Sequence, residues 1–196
     1  MQEPNRLIEC SDFPELEFVE REATPEPAMK LGIQLHLSGL SLSDTDSVLE
    51  SVGAERGRTA VHNWVQKAGL QPTDGQNPDY VAVDETVIRV NNQRYWLFAA
   101  VDPDTDRLLH VRLFPTRTTA LTEMFLVDGA PWLQAACHRH SLRFQHVTHG
   151  NRNAVEPSFK ELKRRTEAFA IHFRHAEPNT AETWIQAFVV CFNQPI

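Results

Sequence analysis

Three carboxylates sit where a carboxylate is costly. Asp84 interrupts the apolar run Tyr80-Val-Ala-Val-Asp-Glu, Asp128 ends the run Phe125-Leu-Val, and Glu156 opens a helical pattern after a polar loop. An acid inside an apolar strand must be paired or metal-bound to offset its desolvation. Three carboxylates converging at one edge of a mixed sheet would hold hard, oxygen-loving Mg²⁺ or Mn²⁺. Two such ions activate a hydroxyl nucleophile and stabilise the leaving oxygen of a phosphodiester. Each acid alone also has an ordinary role: an edge-strand acid, a turn former, a helix cap.

A second group of residues suits nucleic acid. Val61, Trp64, Val65 and Ala68 recur at helical spacing, and Gly69 ends the pattern. The opposite face carries Arg58, Thr59, His62, Asn63, Gln66 and Lys67. Such side chains reach phosphates and base edges in a major groove. A helix, a turn at Gly53 and this helix fit a helix-turn-helix. An ordinary three-helix bundle with a solvated face fits the same pattern. Cys137-His-Arg-His140 lacks a second ligand pair at zinc spacing, and no Gly-rich phosphate loop is present.

The elements that must position these residues follow from pattern. Residues 1–27 read as an acidic, Pro- and Glu-rich arm. Residues 28–70 read as three short helices. Within the first, Leu31, Ile33, Leu35 and Leu37 alternate like a strand, but the tight elements that follow favour a helix. The second spans about Ser43 to Ser51, capped by Ser41 or Ser43. Residues 71–79 are linker residues. From 80 to 196 the order reads β-β-β-α-β-α-β-α-α: strands over 81–90, 95–101 and 108–114, a helical piece near 118–124, and a strand ending at Asp128. A helix after Pro131, a strand over 142–147 and helices from Glu156 and after Pro178 complete it. This is an α/β fold, a mixed sheet with covering helices, behind a small all-α domain.

The 196 residues carry a formal net charge of −7, unevenly placed. Residues 1–28 hold eight acids against Arg6 and Arg21, whereas residues 137–175 hold eight Lys/Arg against three acids. A local basic surface matters more to a phosphate backbone than the total. The three cysteines are odd in number and far apart, which excludes a disulfide framework and suggests a reducing compartment. Neither a signal peptide nor a membrane span is visible, so a cytoplasmic location is expected. Four lysines against fifteen arginines, with excess acid, hint at a salt-adapted cytoplasm.

Over about residues 28–194 the sequence resembles the DDE-type insertion-sequence transposases of the IS-six group, especially haloarchaeal members. The resemblance is carried by Val81-Ala-Val-Asp-Glu-Thr, Tyr95-Trp-Leu-Phe-Ala-Ala-Val-Asp, Phe125-Leu-Val-Asp-Gly-Ala, and His149-Gly-Asn-Arg-Asn-Ala-Val-Glu running into Lys160-Glu-Leu-Lys-Arg-Arg-Thr. It implies an RNase H-like catalytic domain behind a helix-turn-helix that binds terminal inverted repeats. It matches Asp84, Asp128 and Glu156 to the catalytic, metal-holding triad, and Lys163 to the basic residue that follows the glutamate. DNA contacts are then expected from Arg58, His62, Asn63 and Lys67, and from Arg139, Arg143, Arg152, Lys160, Lys163, Arg164 and Arg165. Mg²⁺ or Mn²⁺ is the implied cofactor. Terminal-repeat and target DNA are the implied partners, held by a homodimer or higher oligomer at the nucleoid.

Two departures from the family pattern stand out. Only 13 residues, Pro115 to Val127, separate the third strand from Asp128. A crossover with its helix needs about 10–12 and a strand about 5 more, so an internal deletion is expected. Pro157 follows Glu156, which holds Glu156 at the helix threshold. A transposase is therefore the leading expectation. A DNA-binding remnant without activity, and an RNase H-like nuclease without transposition, are its rivals.

Overall fold

Near residue 71 the periodicity changes, and there the chain divides: Met1–Leu70 falls in one compact unit and Gln71–Asn193 in another. The computed structural model describes residues 13–18, 23–72, 78, 81–118, 156–168 and 173–194.

The first unit is a helix trio: α1 (Glu26–Ser38), α2 (Leu42–Ser51) and α3 (Arg58–Ala68). Helix α1 starts two residues before the expected boundary, because Pro27 is pre-set for a first turn. An ion pair of 2.7 Å between Lys30 and Glu26 spans that turn. Gly39 ends the helix in the left-handed region. Its N–H donates to His36 O and that of Leu40 to Leu35 O, at 3.1 and 3.0 Å, the paired bonds of a Schellman motif. The alternating Leu/Ile pattern is resolved by burial. Met29, Gly32, Ile33, His36 and Leu37 are buried at helical spacing, while Leu31 and Leu35 are half-buried. Ser41 caps α2, its Oγ accepting from Asp44 N at 3.1 Å. In α3, Val61, Trp64 and Val65 are buried, as the sequence pattern predicts. The helices meet at Gly32, where an added Cβ would lie 3.1 Å from Leu49 Cδ1 and 3.2 Å from Trp64 Cζ3. Ahead of the trio, Phe13 and Leu16 are buried in what the sequence suggests is a plain acidic arm.

The second unit opens with strands β1 (Ala82–Val90), β2 (Gln93–Asp102) and β3 (Arg107–Phe114), forming an antiparallel sheet in the order β1-β2-β3. Asn91 and Asn92 join β1 to β2 with φ of 49° and 60°, the left-handed pair that a two-residue hairpin requires. The β2–β3 turn is held by Asp102, whose carboxylate accepts from Asp104 N at 2.9 Å and Thr105 Oγ1 at 2.7 Å. Those bonds account for a buried acid. Apolar residues line both faces, as in a sheet covered on both sides. Leu97, Ala99, Val101 and Val111 lie on one face; Phe98, Ala100 and Phe114 pack on the other, with Phe98 edge-on to Phe114 at 5.5 Å.

Helices α4 (Glu156–Ala168) and α5 (Pro178–Phe192) follow. Along α5, Trp184 stacks on Phe188 at 5.8 Å and Phe192 follows it, tilted, at 5.7 Å. Two α5-side residues close the outer edge of β3. Glu182 Oε1 accepts from Leu113 N at 3.2 Å, while Asn193 accepts from Leu108 N and donates to Leu108 O. The chain thus combines helices with a β-sheet, an α/β protein. The strands and helices expected between residues 119 and 155, including any parallel part of the sheet, lie outside the described residues.

Candidate functional site

Asp84 sits in the middle of β1, in register with Ala99 of β2. Side chains alternate along a strand, so Asp84 shares its face with the buried Ile88 and Val90 and looks across small, buried Ala99. Its carboxylate is half-buried, and Oδ1 accepts the N–H of Glu85 at 2.9 Å. In a two-residue hairpin, alternate residues bond the partner strand. Val83, Glu85, Val87 and Arg89 therefore direct their backbone groups away from β2. Among the described residues, no strand pairs with that edge. Glu85, beside Asp84, pairs with Arg117 at 2.6 Å, and the Arg117 guanidinium lies 5.3 Å over the Trp96 ring.

Glu156 is the first residue of α4 and is exposed. Pro157 falls in the first turn, where its missing N–H costs nothing. Ser158, Phe159 and Leu162 are the buried side of α4, and Lys160 and Arg164 are exposed. Lys163 lies seven residues, about two turns, after Glu156, which puts the two on one side of the helix. Arg164 is already engaged. It makes two bonds to Glu161, of 2.8 and 2.7 Å, and these raise its pKa above the ordinary guanidinium value. Arg165 continues the same helix. Asp128 and Arg152 lie outside the described residues, as do Arg139 and Arg143. Among the described residues, no three His, Cys, Asp or Glu side chains gather as a metal site. The chemistry of the expected donors, all carboxylate oxygens, fits Mg²⁺ or Mn²⁺.

On α3, Arg58, Asn63 and Lys67 are exposed and His62 is half-buried, opposite the buried Val61, Trp64 and Val65. The α2–α3 connection runs from 52 to 57, longer than the roughly 3–4 residues common in helix-turn-helix motifs. At this end the surface is mixed in sign. An open cleft of about 490 Å³ is lined by Asp46, Glu50, Glu55, Arg56 and Gly57. Arg56 donates to buried Thr24, and Lys67 lies over the Phe18 ring. The residues before α1 thus touch both the turn and the far end of α3, which sequence periodicity did not reveal.

Among the described residues, no helix is long and apolar enough to cross a membrane. Neither a known family model nor a solved structure matches the chain. It is 30% identical over 178 residues to the uncharacterized protein MJ0017 of Methanocaldococcus jannaschii, spanning 83% of this chain and 80% of that one. It is also 38% identical over 52 residues to the uncharacterized protein aq_aa24 of Aquifex aeolicus, spanning 26% of this chain and 43% of that one.

Proposed function

This chain belongs to one family with MJ0017 of Methanocaldococcus jannaschii, and we propose that it is a DDE-type transposase with an RNase H-like catalytic domain, cutting and joining DNA at insertion-sequence ends. The observation that carries this reading is the setting of Asp84. It stands mid-strand in a three-stranded antiparallel meander, beside an edge that no described strand occupies. That edge can receive a strand ending at Asp128, which would put the two carboxylates side by side. Glu156, at the first turn of a helix that carries Lys160 and Lys163, supplies the third acid.

Bound Mg²⁺ or Mn²⁺ would supply an activated hydroxyl nucleophile and neutralise charge on the leaving oxygen. Asp84, Asp128 and Glu156 are the residues that would hold it. Lys163 orients a DNA phosphate beside Glu156, and Lys160 and Arg165 extend the basic run. The face of α3 with Arg58, His62, Asn63 and Lys67 reads the terminal repeats in the major groove. Cutting two ends together calls for a homodimer or higher oligomer, working at the nucleoid in the cytoplasm.

A second reading has a specific observation behind it. Asp128 follows Asp84 by only 44 positions, which leaves too few residues after β3 for a full crossover helix and strand. A chain so shortened would bind repeat DNA without cutting it.

One experiment separates the two. The purified chain is incubated with a labelled duplex carrying the terminal repeat, with Mg²⁺ and with a chelator. The transposase reading expects Mg²⁺-dependent nicking that Asp84→Ala abolishes while repeat binding survives. Repeat binding without nicking in the wild-type chain selects the remnant. Nicking at wild-type rate in Asp84→Ala removes Asp84 from the site.

A further inference from the structure

Arg89 and Arg94 stand directly opposite each other on β1 and β2. Both are exposed. Among the described residues, neither has an acidic partner. Like charges directly opposite across two strands repel, so this pair works against the hairpin that carries it. The hairpin tip is nevertheless fixed. Its two-residue turn has one backbone shape, and Asn91 N–H donates to Phe173 O at 2.6 Å. Phe173 is itself buried, edge-on to Trp184 at 5.6 Å. This bond brings a segment from far along the chain to the tip, and its next two residues are the exposed Arg174 and His175. The backbone bond at Asn91 thus brings the stretch that carries Arg174 and His175 to the hairpin that carries Arg89 and Arg94, with Glu177 as the one acid between Phe173 and Pro178.

We propose that this hairpin tip is a second DNA contact, in which Arg89, Arg94 and Arg174 grip the phosphodiester backbone of a duplex. The inference rests on the DNA-binding reading above and extends it to a surface that reading does not use. A phosphate between two guanidinium groups converts their repulsion into paired charge-assisted bonds. The contact reads backbone rather than sequence, because these side chains stand on an exposed tip with no groove-entering helix.

The test measures duplex affinity of the full chain across KCl concentrations by fluorescence anisotropy, on random and repeat-bearing duplexes. Each lost phosphate contact lowers the salt slope by about 0.9. Arg89→Gln/Arg94→Gln is expected to lower it by about 2 on both duplexes, with an unchanged or higher melting temperature. Arg89→Lys/Arg94→Lys should restore the slope. If the double Gln variant melts early, Arg174→Gln alone gives the same readout, with an expected loss of about 1. An unchanged slope in a folded variant overturns the proposal, as does tighter binding to a single-stranded RNA than to either duplex. Loss of repeat discrimination in Asn63→Ala beside an unchanged slope in the tip variants would leave the DNA reading standing and remove only the tip. A wild-type chain that binds no duplex removes both.

Discussion

The Nζ of Lys67 lies 5.7 Å from the centroid of the Phe18 ring, so the last turn of α3 is touched by the acidic segment that precedes α1. Glu15 and Glu17, both exposed, precede Phe18 in sequence. If α3 binds DNA as proposed, a backbone arriving at Lys67 would compete with this ring. Phe18→Ala removes a cation–π contact of about 0.5–1 kcal/mol. Random duplex should then bind two- to fivefold more tightly by anisotropy titration. Unchanged affinity would show that the ring and the DNA do not compete.

Asn63 faces outward one position before buried Trp64. If it makes a bidentate base contact, Asn63→Ala should cost about 1–3 kcal/mol of discrimination between repeat and random duplex. Competition binding measures the ratio directly. Equal loss on both duplexes would reduce Asn63 to a phosphate contact.

Gly32 lets α1 approach α2 and α3 without a side chain between them. A Cβ there would press on Leu49 and Trp64 at 3.1 and 3.2 Å. Gly32→Ala gains about 1 kcal/mol of helix propensity but forces an overpacked core, at about 1–3 kcal/mol. Trp64 is 1% exposed and has little room to give. A net loss of about 1 kcal/mol is expected, read as a lower urea midpoint. A higher midpoint would show that Trp64 moves aside freely.

Burial pushes the Cys191 thiol up to about 12 from an ordinary value of 9.0. The folded chain therefore keeps its proton where the unfolded chain has lost it. That contribution to stability is fully present below pH 9 and is lost as pH rises toward 12, by up to about 1.4 kcal/mol per pH unit. Urea midpoints measured between pH 8 and pH 11 should fall for the native chain and fall less for Cys191→Ala. At pH 8 the folded thiol should resist iodoacetamide, since the thiolate is the reactive form. Rapid labelling of this half-buried thiol without unfolding would contradict its raised pKa.

The sequence made some of this legible and hid the rest for physical reasons. Helix α3 and both hairpins could be read because a local signal sets each: the spacing of Val61, Trp64 and Val65, the pair Asn91-Asn92, and the run Asp102-Pro-Asp. Helix α1 was ambiguous because Leu31 and Leu35 fill the strand pattern yet end half-buried, while Gly32 and His36 take core positions that an apolar pattern does not mark. The setting of Asp84 was visible as an acid within an apolar strand. Nothing periodic marks the facing of Arg89 and Arg94 or the approach of the Phe173 stretch to their hairpin, because cross-strand register and one backbone bond create them. The contacts of Phe18 and Thr24 with α3 and its turn were hidden for the same reason: they depend on how distant segments pack.

The closure of β3 has a consequence for the order in which the molecule can be built. Leu108 and Leu113 receive their outer partners from Asn193 and Glu182, which lie 85 and 69 residues later in the chain. During synthesis the meander can zip from its own turns, while among the described residues its outer border gains these partners only once the ribosome has released α5. At about 5–20 residues per second, that interval lasts several seconds or more. Through it, the nascent sheet offers a ready template to any extended strand nearby. Chaperone capture during translation, or truncation ahead of residue 182, should therefore decide yield more strongly than the final stability does.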